Sequence, residues 1–87
     1  MNRNVSDQKQ SWLTAVRALV GKFDAAAIGQ CLNLVVRGET NPCFRAASEE
    51  EVVSVLARAA FVAEQIQQGL TMGEAIRELG RRMRSLK

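Results

Sequence analysis

Apolar residues recur along this chain at alternating spacings of three and four, the pattern of an α-helix that turns about 100° per residue and keeps one face dry. The pattern appears four times. Between Ser6 or Asp7 and Val20 it gathers Trp12, Leu13, Val16, Leu19, Val20 and Phe23, with Gly21 as the stop. Between Asp24 and Val36 it gathers Ile28, Cys31, Leu32, Val35 and Val36. Asp24 is placed to cap the helix start, and Arg37-Gly38 reads as a last-turn cation followed by a C-cap glycine. The two segments are expected as separate helices broken near Gly21 to Asp24, with residues 1–6 flexible.

A central loop at 38–47 divides the chain. Pro42 lacks a backbone donor and biases Asn41 away from the helical region. Ser48-Glu49-Glu50-Glu51 then has the capping-box spacing, in which a hydroxyl meets the amide three residues on and a carboxylate reaches back. Three acids in one first turn also suit the positive end of the helix dipole. This third helix is expected to run to about Gln68 and close at Gly69, and Thr71-Met72-Gly73-Glu74 supplies a second capping box for a fourth helix. There Met72, Ile76, Leu79, Met83 and Leu86 form a narrow seam, fit for one neighbouring helix or a symmetry mate. The prediction is an all-α, single-domain bundle of about four helices over residues 1–87, its C-terminal half a helical hairpin.

Composition narrows what such a bundle does. The chain has 47% apolar residues but few aromatics, and an 87-residue domain has a small core. It contains no His and no Tyr, so the commonest general base is missing, and the acidic residues fall at caps or on predicted solvent faces. The expectation is a non-enzymatic protein without cofactor. Cys31 and Cys43 lack the CxxC pairs and histidines of a zinc site. No export signal and no membrane-length apolar run are present, which points to a cytoplasmic setting off the membrane, with the cysteines reduced rather than bridged. On that reading Cys31 is a small buried hydrophobe, and Cys43 is the better candidate for a reactive thiol.

Two surfaces then compete. On the third helix Phe61 lies on the side away from the main apolar arc, next to Arg58, as an interface anchor does, unless Cys43 and Phe44 fold over it within the chain. With Pro42, Cys43 and Phe44 of the loop, these residues suggest a contact surface for a protein partner. The surplus Phe61, the seam and the small core suggest a homodimer. The other surface follows from a net charge of +3 with nine arginines among twelve cations: Arg77, Arg81 and Arg84 share the face opposite the seam, with Lys87 beyond them. Such a row can hold phosphates, so a small nucleic-acid-binding regulator is the alternative to an interaction module. Cations at a helix C-terminus that pair with Glu74 and Glu78 explain the same row without a ligand.

Overall fold

Local hydrogen bonds fix where each helix begins and ends. The computed structural model describes residues 3–85, with side chains from 12 to 84. It contains α1 (Arg3–Lys22), α2 (Ala25–Val36), α3 (Glu49–Gln67) and α4 (Met72–Ser85), and no strand among the described residues. α1 begins ahead of the predicted start, so Arg3 to Ser6 are helical. The break between α1 and α2 falls at Phe23 and Asp24, where the Asp24 carboxylate accepts the Ala27 N–H at 2.8 Å. Ser48 caps α3 in the same way, its hydroxyl accepting the Glu51 N–H at 3.1 Å. At α4 the box is reciprocal: the Thr71 N–H donates to Glu74 Oε1 at 2.9 Å and the Glu74 N–H donates to Thr71 Oγ1 at 3.2 Å.

α2 and α3 end alike. Gly38 and Gly69 have positive φ, 80° and 111°. The N–H groups of Gly38 and Glu39 donate back to the carbonyls of Val35 and Leu34, and those of Gly69 and Leu70 to Ile66 and Gln65. This paired pattern satisfies carbonyls that a helix end leaves open, and it needs a residue without the Cβ penalty at the left-handed position.

α3 is the centre, in contact with α1, α2 and α4. Its Val55, Leu56, Ala59 and Val62 are fully or almost fully buried, with Val52 and Ala63 close behind. Val16 and Leu19 come to it from α1, Ile28, Cys31 and Val35 from α2, and Ala75 and Leu79 from α4. Alanines at 59, 63 and 75 let backbones approach closely. The seam of α4 thus faces α3: Met72, Ile76 and Met83 pack on the core beside buried Ala75 and Leu79, while Leu86 lies outside the described residues. The stripe of α2 is narrower than its sequence suggests, because Val36 is 71% exposed. α3 covers the arc centred on Ile28, Cys31 and Val35, and Val36 sits about 100° past Val35 at the edge of that arc. Among the described residues no helix is long and apolar enough to cross a membrane.

Candidate interaction surface

The loop after α2 is held at three points, two local and one covalent. The first is the Gly38 turn. The second is Asn41, the one buried polar residue among those described, at 6% exposure. Its Oδ1 accepts the N–H groups of both Cys43 and Phe44 at 2.9 Å, so a single side chain turns the backbone around Pro42. The third is a disulfide between Cys31 and Cys43, whose Cα atoms are 6.2 Å apart. The sequence reading of two reduced cysteines is corrected here, and with it that of Cys43 as a reactive thiol. Cys31 does lie in the buried stripe of α2, but its sulfur joins the sulfur that the Asn41 turn delivers. Asn41→Ala would leave two amides without their acceptor. A loss of about 1–3 kcal/mol is expected in urea unfolding, with Asn41→Asp retaining most of it.

The held loop forms one wall of a groove of about 300 Å³ between the end of α2 and the start of α3. Phe44 supplies most of its apolar surface, with buried Val35 and Val52 at its floor, and Glu39, Arg45 and Glu49 supply charge. Phe44 is half-buried against the core, whereas Pro42 is exposed. Of the predicted contact residues, then, Phe44 lines the groove, Cys43 anchors its wall and Pro42 stands at the surface beside it.

Arg58 and Phe61 belong elsewhere. Phe61 lies nine residues beyond Val52 on α3, about 13 Å along the axis. Both residues are half-buried and engaged within the chain. The Arg58 guanidinium stacks over the Trp12 ring of α1 at 4.4 Å, and Arg82 of α4 lies over the Phe61 ring at 5.2 Å. Three apart on one helix, Arg58 and Phe61 are lateral neighbours, so these two cation–π pairs tie α1 and α4 to one flank of α3. A double-mutant cycle on Trp12→Ala and Arg58→Ala, read by urea unfolding, should return a coupling of about 0.5–1 kcal/mol. Phe61 is covered, but by Arg82 rather than by the loop.

On α4, Arg77, Arg81 and Arg84 are exposed on the face away from α3, and Lys87 lies outside the described residues. Arg81 pairs with Glu78 at 3.3 Å, and the Glu74 carboxylate accepts the Thr71 amide. Among the described residues no group of three Cys, Asp or Glu converges to hold a metal. Of the groove residues, Val52 belongs to the apolar stripe of α3 and Glu49 to its first turn, whereas Glu39, Asn41 and Arg45 lie in the loop and carry no periodic signal. The tie between Cys31 and Cys43 leaves no signal of its own in the sequence, because it depends on how the Asn41 turn folds back on α2. Compared with protein-family models, curated proteins and solved structures, the chain matches none of them.

Proposed function

We propose that this chain is a non-enzymatic protein-interaction module whose contact surface is the groove beside the tied loop. Its occupant is a partner segment presenting one large apolar side chain next to Lys or Arg. The observation that carries this is the groove's composition: Phe44, with the edges of buried Val35 and Val52, lines it together with the exposed acids Glu39 and Glu49. Glu50 and Glu51 are also exposed, so four acidic groups stand against Arg37 and Arg45 around this end of the molecule. Complementary charge at a rim speeds encounter and selects partners, while the apolar side chain seated between supplies affinity. A module rather than an enzyme is favoured by chemistry: the chain has no His, and both cysteines are bonded to each other.

Screening a displayed library of linear peptides against the oxidised protein tests this. Enrichment of an apolar residue beside Lys or Arg is expected, with binding weakened by Phe44→Ala and by Glu39→Lys. Enrichment of acidic peptides, or binding indifferent to both substitutions, would sink the reading. Self-association belongs to the same test. A dimer in light scattering that Phe44→Ala dissociates would make a second copy the occupant, since the seam and Phe61 are already engaged inside the chain.

A second reading rests on the exposed row of Arg77, Arg81 and Arg84. If it holds phosphates, duplex affinity should fall with salt at a logarithmic slope of about −0.9 for each phosphate engaged, and Arg77→Gln with Arg84→Gln should flatten that slope. Salt-independent or absent binding removes it. As for setting, a cytoplasmic location is proposed together with a disulfide that is made and broken there, because lasting disulfides belong to oxidising compartments.

A further inference from the structure

We propose, resting on the groove as the contact surface, that the Cys31–Cys43 disulfide is a reversible redox latch that holds the loop and its groove in shape. The two sulfurs are unlike in access. Cys31 is 4% exposed within the buried stripe of α2, whereas Cys43 is half-buried on the loop, so a reductant reaches the bond at Cys43. The latch sits where it acts on the groove: Phe44, the next residue, lines it, and Asn41, which orders both, lines it as well.

The chemistry closes with a dithiol protein as co-reactant. One thiolate of the dithiol attacks Cys43 Sγ and forms a mixed disulfide there. The S–S bond breaks with its electron pair on Cys31, which takes a proton. The second thiolate of the dithiol attacks its partner sulfur and expels the Cys43 thiolate, which is also protonated. The chain gains two electrons and two protons, and the dithiol becomes a disulfide. Attack in the other sense would need entry of the nucleophile into the core and is disfavoured by the burial of Cys31. In the bonded state Cys43 Sγ lies 3.9 Å from the Ala27 carbonyl oxygen, so the thiol formed on reduction has only a weak acceptor nearby in place of the covalent bond. The Gly38 and Asn41 turns are local and persist, but the wall they shape is no longer fastened to α2.

The test uses the full chain, oxidised and reduced. Brief exposure to glutathione, followed by acid quench and peptide mapping, should place the mixed disulfide on Cys43. Finding it on Cys31 overturns the route. Amide chemical shifts should then move on reduction at Thr40, Asn41, Phe44 and Val52, while helical circular dichroism is kept. A loop held correctly a tenth of the time binds about tenfold more weakly, so a basic-flanked apolar peptide from the library should lose about that much affinity on reduction. Cys43→Ala should show the weaker binding and no response to reductant. Unmoved groove amides with unchanged peptide affinity overturn the latch. If the amides move but no peptide binds in either state, the latch stands and the interaction reading falls.

Discussion

Breaking the Cys31–Cys43 bond, by a phosphine reductant or by Cys43→Ala, should lower the thermal midpoint by about 12–24 °C. The bond spans a sequence separation of 12, and closing a ring of that size restricts the unfolded chain by about 3 kcal/mol. In a domain of this length each kcal/mol moves the midpoint by about 4–8 °C. Cys43→Ala isolates this effect because it leaves Cys31 as a small apolar side chain in its buried place. Scanning calorimetry on oxidised, reduced and substituted protein makes the comparison. A shift of only a degree or two would mean that the unfolded chain already holds α2 and the loop together, or that the bridged native state is not favoured.

Leu56→Ala should cost about 2–5 kcal/mol, the range for emptying a fully buried leucine site. Leu56 lies on the helix that all three others touch, with Val52, Val55, Ala59 and Val62 buried on the same element, so collapse around the void requires several helices to move together. A domain of 87 residues has about 4–13 kcal/mol in total, which makes this substitution able to unfold a large fraction of the molecules near body temperature. Leu56→Met keeps the volume and should cost less than about 1.5 kcal/mol. Urea unfolding followed at 222 nm reads both. Equal losses for the two variants would contradict the central place given to Leu56.

The helices were legible in the sequence because their signals are local. Asp24, Ser48 and Thr71 cap where a carboxylate or hydroxyl three residues from an amide must cap, and Gly38 and Gly69 terminate by positive φ. The wheel likewise placed Ile28, Cys31 and Val35 in the core and left Arg77, Arg81 and Arg84 outside. It misplaced Val36, because the width of a buried stripe depends on how many neighbours a helix has, and that is a tertiary quantity. The candidate site was less legible for the same reason. Periodicity says nothing about a loop that folds back. The disulfide depends on Asn41 delivering Cys43 to a sulfur on the preceding helix, and the covering of Phe61 depends on an arginine 21 residues further on. Compartment reasoning from a short N-terminal segment favoured free thiols, and it weighed an environment where geometry was needed.

The Thr71 box starts α4 two residues after Gly69, so α3 and α4 form a contiguous hairpin whose halves meet across a very short closure. Short closures lose little chain entropy, and chains rich in such contacts fold rapidly. α1 must instead return to α3 across α2 and the central loop. In kinetic terms the C-terminal hairpin is expected to form early, ahead of the docking of α1. Substitutions at Ala63, Ala75 or Leu79 should therefore slow folding, whereas those at Trp12 or Val16 should chiefly hasten unfolding. The covalent tie in the middle of the chain shortens the return of α1 little, and acts on how long the native state lasts more than on how soon it is reached.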